Sequence, residues 1–270
     1  MQMIATDTQI THWQRAWLYL LCGAVLAFLV VPCLLVIPMS LSADSFLHFP
    51  PRELSLRWYR SFLGSEDWMH GARISIEVAF ATVVLATSLG TAGAYAIRQL
   101  DGRLAMAIRT IYMLPMIAPV ILIAVGVFFV YARLGLNNSV EGLVLAHTLL
   151  ALPYVVITVG SGLETYDMSQ ERVARSLGAS RLKAFVQVTL PQIAPSIYSS
   201  LLFSFMTSFD ETVIVLFVSG GDTSTLTRLM FENIRDQQDP TIAAISTLLL
   251  VVSTAALIVA QRLARRKVGE

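Results

Sequence analysis

The residues that could do chemistry fall into two groups, a basic segment and a pair of neighbouring carboxylates. The segment Glu171 to Ile193 reads ERVARSLGASRLKAFVQVTLPQI and carries four basic side chains between apolar stretches. Asp210 and Glu211 interrupt another apolar stretch. Charges within hydrocarbon are costly and normally face a water-filled cavity or a partner. The carboxylate pair is therefore a candidate for a water-filled path or a contact with a partner, and the basic segment, which is kept in water, is a candidate for contact with another protein.

Signatures of catalysis are missing from the sequence. It contains no G-x-x-x-x-G-K-[ST] phosphate loop and no H-E-x-x-H motif, and its four histidines are scattered. His147 has no Cys, Asp or second His close by in sequence, so we expect a hydrogen-bonded packing residue there and no metal site. The sequence predicts a chain that is not an enzyme and binds no cofactor itself.

The elements that must position these residues are membrane helices. Hydrophobic residues make up 56% of the 270 residues, charged residues 14%, and the mean hydropathy is +0.68. About 20 apolar residues cross the hydrocarbon core as a helix. The sequence predicts an all-α polytopic membrane protein whose six transmembrane helices lie near residues 17–39, 74–97, 108–131, 140–161, 196–218 and 241–260.

Polar residues and prolines interrupt several of these spans. Pro153 interrupts the fourth span, and the two carboxylates interrupt the fifth. Pro115, Pro119 and Pro153 free backbone carbonyls, which either bends a helix near a gate or only shapes its packing. We favour packing for all three.

The distribution of basic residues predicts that both termini are cytoplasmic. Residues 1–16 then form a cytoplasmic N-terminus, 17–262 the transmembrane domain, and 263–270 a basic cytoplasmic tail. This orientation places 12 of the 19 Lys and Arg residues inside: Arg15, Arg98, Arg103, Arg109, Arg172, Arg175, Arg181, Lys183, Arg262, Arg265, Arg266 and Lys267.

The cytoplasmic loop 164–192 has the pattern of two short helices around a glycine. Asp167 and Gln170 have the spacing of a capping box, and Gly178 supplies a left-handed stop. Ser180 can cap a second helix, which Pro191 is expected to break. An amphipathic loop resting on lipid headgroups would show the same periodicity.

This loop resembles the signature cytoplasmic loop of type I ABC importer permeases, E-A-A, three residues, G, nine residues, I, one residue, L-P. Here Arg172 stands at the motif's Glu, next to Glu171, and Val173 stands at the first Ala. The resemblance implies an ATPase-coupling loop. Its residues are Glu171, Arg172, Val173, Ala174, Leu177, Gly178, Ala179, Val188, Leu190 and Pro191.

The resemblance covers nearly the whole chain and is closest to the spermidine and putrescine permease branch. LRWYRSFL, MLPMIAPVILIAVG, AHTLLALPYVV and SFMTSFDETVIVLFVSG are similar to segments of that branch. The family implies a bacterial inner-membrane protein, surrounded by lipid, that pairs with a second permease subunit, here expected to be a different chain. It also implies an ATPase dimer that binds ATP and Mg, a periplasmic solute-binding protein, and no nucleic acid.

A candidate solute path follows from the polar stripe on the fifth span. Ser204, Thr207, Asp210 and Glu211 recur near helical spacing, and their carboxylates would suit a cationic substrate such as a polyamine. Alternatively, Asp210 and Glu211 bind outer groups such as Arg228, or the paired permease. Glu77 is expected to be interfacial.

Other functions remain open at this level. The solute could be another small organic or inorganic compound, because discrimination lies mostly in the external binding protein. An ion-coupled secondary transporter would be expected to show inverted repeats, which the halves of this chain lack. A membrane sensor or assembly protein would not need the glycine-spaced loop.

Overall fold

The structure is a computed structural model that describes residues 16–46, 49–236 and 239–268, with the side chains of residues 16 and 256–268 left out. Predictions that concern Arg15, Arg262, Arg265, Arg266 and Lys267 lie outside the described side chains. The described chain is almost entirely helical, with one isolated β-bridge between Ser42 and Leu54. It divides into two compact units, residues 1–64 with 237–270 and residues 65–236.

The first unit contains helices α1 (Ala16–Ser40), α2 (Arg57–Gly64) and α13 (Thr241–Val268). The Thr247 hydroxyl on α13 donates to the Val36 carbonyl on α1 at 3.5 Å. The Ser40 and Tyr59 hydroxyls lie 2.7 Å apart and connect the end of α1 to α2. These bonds satisfy polar groups where the apolar helices meet.

The second unit is built around three helices, α3 (Glu66–Gln99), α6 (Val140–Thr165) and α10 (Ala194–Phe209). Apolar residues of these helices and of the segments beside them form two buried clusters, one around Val78, Leu143 and Ile214 and one around Ala86, Val155 and Ile193. A Cβ at Gly90 would lie 2.5 Å from Val155 Cγ1. Small residues therefore let the helices approach closely, as membrane helices commonly do.

The third predicted span, near 108–131, is wrong as a continuous helix. Helix α4 (Gly102–Ile117) and helix α5 (Val120–Leu134) meet at a bend of 102°. Ala118 is extended, with φ −74° and ψ 138°, because Pro119 disfavours a helical residue before it. We favoured a packing role over a bend for all three prolines, and this was wrong for Pro119, which lies at the bend. Pro115 and Pro153 lie inside α4 and α6.

The fifth predicted span, near 196–218, is divided as well. Helix α10 ends at Phe209, and helix α11 (Val213–Val218) begins three residues after Asp210. The Ile214 backbone N–H donates to Glu211 Oε1 at 2.8 Å, so the carboxylate satisfies a free donor in the first turn of α11. A 3-10 turn and helix α12 (Leu226–Asp236) follow.

Several helices are long and apolar enough to cross a membrane. Within the described part of the chain there are three, Trp17–Ser40, Glu66–Gln99 and Val140–Thr165, and there is a fourth if α4 and α5 together form one bent span. The part of α13 whose side chains are described, Thr241–Ala255, is apolar but shorter than these helices. The backbone of α13 continues as a helix to Val268.

Candidate functional site

The predicted coupling loop, residues 164–192, begins in the last turn of α6 and contains helix α7 (Ser169–Ser176). Asp167 accepts hydrogen bonds from the Ser169 backbone at 2.9 Å and from the Ser169 hydroxyl at 2.6 Å. The hydroxyl and backbone bonds both lower the pKa of the Asp167 carboxyl. The expected capping box with Gln170 is wrong, because the Asp167 carboxylate accepts from Ser169, while the Gln170 N–H donates to the Asp167 backbone carbonyl.

The glycine elbow is confirmed. Gly178 has φ +93°, which is in the left-handed region. Its N–H donates to the Arg175 carbonyl at 3.0 Å, and the Ala179 N–H donates to the Ala174 carbonyl at 3.1 Å. These two bonds form a Schellman motif, which satisfies the last carbonyls of α7 and turns the chain sharply.

The second helix of the loop starts as predicted and ends differently. The Ser180 hydroxyl accepts from the Lys183 N–H at 3.3 Å and caps helix α8 (Arg181–Ala184). The expected break at Pro191 is wrong, because a π turn (Phe185–Thr189) leads directly into helix α9 (Leu190–Gln192). A wider turn accommodates the proline ring, which crowds the carbonyl four residues earlier and donates no hydrogen bond.

Large apolar side chains of the loop are exposed in this chain. Val173 is 59% exposed, Leu177 84% and Leu182 73%. Arg172, Arg175, Arg181 and Lys183 are exposed too, whereas Ala174, Ala179, Val188 and Leu190 are half-buried and Pro191 is exposed. An apolar patch bordered by cations at a glycine elbow is typical of a protein-binding surface.

Glu171 differs from the rest of the loop, because its carboxylate is turned inward. Only 2% of the residue is exposed. The Tyr95 hydroxyl donates to Oε1 at 2.5 Å, and the Thr189 hydroxyl donates to Oε2 at 2.7 Å. The spacing of the motif placed Glu171 among the docking residues and gave no signal for these two internal partners.

A second site lies where α10 ends. Tyr154, Met206, Thr207, Asp210 and Glu211 line an open cavity of about 360 Å³. Asp210 is exposed, and Glu211 is half-buried. Two carboxylates, a hydroxyl and an aromatic ring therefore face one space. We call these five residues the acidic cavity. Tyr154 was missed by the sequence analysis, since it lies on α6 and only the fold brings it to Asp210.

Ser204 does not line the acidic cavity, although it was predicted to belong to the same polar stripe. Ser200, Ser204 and Ser208 are buried on the inner side of α10. Ser208 Oγ lies 2.9 Å from His147 Nδ1, which confirms the hydrogen-bonded packing role of His147. Ser200, Ser204 and Ser208 are four residues apart and share one side of the helix, whereas the adjacent Thr207 and Ser208 point about 100° apart, so Thr207 faces the cavity and Ser208 does not.

The alternative pairing of the two carboxylates with Arg228 is wrong within this chain. Arg228 forms a salt bridge of 2.8 Å with Glu232 and donates to the Val215 and Ser219 carbonyls. Glu77 is exposed on α3. Among the described residues there is no group of three His, Cys, Asp or Glu side chains that could hold a metal ion.

Comparison with known proteins identifies the family. Residues 83–269 match the family model described as binding-protein-dependent transport system inner membrane component. The chain is 28% identical to the spermidine/putrescine transport system permease protein PotC of Haemophilus influenzae, over 90% of this chain and 94% of the relative. It is 31% identical to the putrescine transport system permease protein PotI of Escherichia coli K12, over 73% of this chain and 72% of the relative.

Other similar proteins have names that refer to other solutes. The molybdenum transport system permease protein ModB of Mycobacterium bovis is 29% identical over 73% of this chain and 79% of its own length. A chain of a bacterial ABC transporter involved in the import of the acidic polysaccharide alginate superposes with a TM-score of 0.72 at 15% identity, covering 98% of this chain and 99% of its own. The family match and the glycine-spaced loop lead to one conclusion: the chain belongs to the binding-protein-dependent transport system inner membrane components, as a type I ABC importer permease close to the polyamine permease branch.

Proposed function

We propose that this chain is the permease subunit of an ATP-driven importer for a small cationic solute, a polyamine such as putrescine or spermidine. In this proposal six spans cross the inner membrane with both termini in the cytoplasm. A second, different permease subunit completes the pathway, and a periplasmic protein delivers the solute. ATP and Mg bind to a separate ATPase dimer that docks on the coupling loop.

The acidic cavity is the observation that carries the substrate class. Asp210 and Glu211 supply two carboxylates, and Tyr154 supplies a ring whose face attracts ammonium groups. A diamine carries two ammonium groups, so its charges match the two carboxylates. An oxyanion would meet like charge in the same cavity, and like charges repel at short distance. The similarity to PotC and PotI agrees with a cationic solute.

The exposed face of the coupling loop supports the ATPase partner. Val173 and Leu177 present apolar area next to Arg172 and Arg175, which suits a partner with an apolar cleft and acidic borders. Neither residue is covered within this chain.

An ion-coupled secondary transporter is the second candidate. The bend at Pro119 and the break at Asp210 are interruptions of the kind found in transporters that bind ions near the midplane. Permease family membership and the coupling loop favour the ATP-driven importer.

Co-expression of this chain with its neighbouring transport genes tests the proposal. A tagged copy is expected to co-purify with an ATPase, and the binding protein loaded with spermidine is expected to stimulate ATP hydrolysis by the complex. Molybdate replaces spermidine as the matched comparison. Stimulation by molybdate and none by spermidine would contradict the substrate class, and absence of a bound ATPase would contradict the importer.

A further inference from the structure

Three elements of the second unit meet at one buried carboxylate. Tyr95 lies four residues before the end of α3, Glu171 lies on α7, and Thr189 ends the π turn. Both carboxylate oxygens of Glu171 accept a hydroxyl hydrogen bond, at 2.5 Å from Tyr95 and 2.7 Å from Thr189. Thr189 is fully buried, and the Tyr166 hydroxyl lies 3.4 Å from its Oγ1.

No salt bridge reaches this carboxylate within the described residues, where the one salt bridge joins Arg228 and Glu232. Burying an ionisable group without a counter-charge is costly unless hydrogen bonds compensate. Hydrogen bonds to a carboxylate are short and strong, and they fix the positions of their donors. The two hydroxyls are therefore held closely by Glu171.

Aromatic contacts restrict Tyr95 further. Its ring packs edge to face on Phe185, with centroids 4.8 Å apart and an interplanar angle of 63°. The Arg181 guanidinium lies 5.9 Å from the Tyr95 ring centroid. The end of α3 therefore contacts two parts of the coupling loop. The Tyr95 hydroxyl bonds Glu171 on α7, and the Tyr95 ring contacts Arg181 on α8 and Phe185 in the π turn.

Glu171 lies on the side of α7 that faces away from the exposed apolar surface. Residues two apart in an α-helix point about 200° from each other, so Val173 points roughly opposite to Glu171. Val173 is 59% exposed and Glu171 2%. One side of α7 is therefore available to a partner, while the other is fixed inside this chain.

We propose that Tyr95, Glu171 and Thr189 form a latch that holds α7 in one orientation relative to α3. The inference rests on the proposed function, in which an ATPase moves the exposed face of α7. The latch passes this movement to α3, because the carboxylate connects α7 directly to Tyr95. The three latch residues are positioning residues that touch neither ATP nor the solute.

Substitutions that break the latch and keep the exposed face test this role. Glu171→Met preserves side-chain length and removes both hydrogen bonds, whereas Glu171→Gln keeps size and one acceptor. Tyr95→Phe removes one hydroxyl and keeps the ring on Phe185, and Thr189→Val removes the other hydroxyl. Asp101→Asn is the matched control, because Asp101 is an exposed carboxylate whose side chain makes no capping bond.

The complete complex in lipid vesicles gives two readouts, spermidine taken up and ATP hydrolysed. The ratio of spermidine taken up to ATP hydrolysed is expected to fall about tenfold in Glu171→Met, which keeps the exposed Val173 face and loses the connection to α3. Glu171→Gln is expected to lie between Glu171→Met and the parent. Tyr95→Phe combined with Glu171→Met should be no worse than Glu171→Met alone, since both remove the same bond.

Two results would overturn the latch. Uptake per ATP equal to the parent in Glu171→Met would show that the carboxylate does not transmit movement. A parallel loss of ATPase binding, hydrolysis and uptake in Glu171→Met, Tyr95→Phe and Thr189→Val would show that the residues only fold the loop. If the parent complex shows no ATP-driven uptake, the proposed importer is contradicted, and the latch with it. If the parent complex does transport, the variants test the latch separately from the proposed function.

Discussion

At the scale of single residues, the proposed substrate class depends on the acidic cavity. Glu211 serves two purposes, since one oxygen caps α11 through the Ile214 N–H while the side chain also faces the cavity with Asp210. Charge on this pair attracts a cation, whereas the capping bond needs only an acceptor oxygen. The two purposes can therefore be separated by amide substitution.

Replacing Asp210 by Asn together with Glu211 by Gln is expected to lower spermidine uptake and to leave the complex assembled. The amides keep size and an acceptor for α11, but they remove the charges that attract an ammonium group. Uptake is measured in vesicles, and assembly by co-purification of the ATPase. Asp222→Asn, an exposed carboxylate outside the cavity, is the control. Unchanged uptake would remove both carboxylates from the path, and loss of assembly would place them at an interface.

Tyr154 gives a second test of the cavity. Tyr154→Phe keeps the ring and is expected to leave the KM for uptake near that of the parent. Tyr154→Leu removes the ring face, and its KM is expected to rise about threefold or more, as the loss of one cation–π contact implies. Equal KM values for Phe and Leu would show that the ring does not contact the solute.

At the scale of elements, the glycine elbow was predictable and the inward carboxylate was not. A glycine between two short amphipathic patterns has few uses other than a left-handed turn, and Gly178 adopts it. The destination of Glu171 depends on Tyr95, 76 residues earlier in the chain. Similarly, Pro115, Pro119 and Pro153 all remove a donor, but the helix breaks only at Pro119, where Ala118 is extended, and the three prolines look alike in the sequence.

Gly178→Val is expected to disturb the loop without disturbing the spans. A φ of +93° is strained for a β-branched residue, by roughly 1 to 2 kcal/mol or more, although nothing lies within 4 Å of the added Cβ. We expect normal membrane insertion, weaker ATPase co-purification and a disproportionate loss of uptake. Gly178→Asn should be milder, because Asn adopts left-handed conformations more readily. If Gly178→Val assembles and transports as the parent does, the elbow is not needed for coupling.

At the scale of the whole molecule, composition established a membrane protein, while the course of its spans needed the structure. The apolar runs near 17–39, 74–97 and 140–161 became long helices, because their side chains are apolar without a long interruption. The runs near 108–131 and 196–218 contain Pro119 and the Asp210–Glu211 pair, and each became two helices. Apolarity alone cannot show whether such a broken pair crosses the bilayer.

Reporter fusions test the proposed six-span topology. A reporter placed after Glu270 or within residues 98–104 is expected to read as cytoplasmic, and one within residues 221–238 as external, because the short basic loops remain inside. An external signal at the carboxyl terminus would contradict the arrangement and would require an odd number of crossings or a reversed orientation.

Uptake of spermidine into vesicles containing the complete complex tests the central claim most directly. Uptake is measured with ATP supplied to the ATPase while ionophores collapse all ion gradients, and again with a gradient imposed and ATP replaced by a non-hydrolysable analogue. The account predicts uptake in the first condition and none in the second, because the energy comes from a separate ATPase through the coupling loop. Uptake that follows the ion gradient and ignores ATP would contradict it.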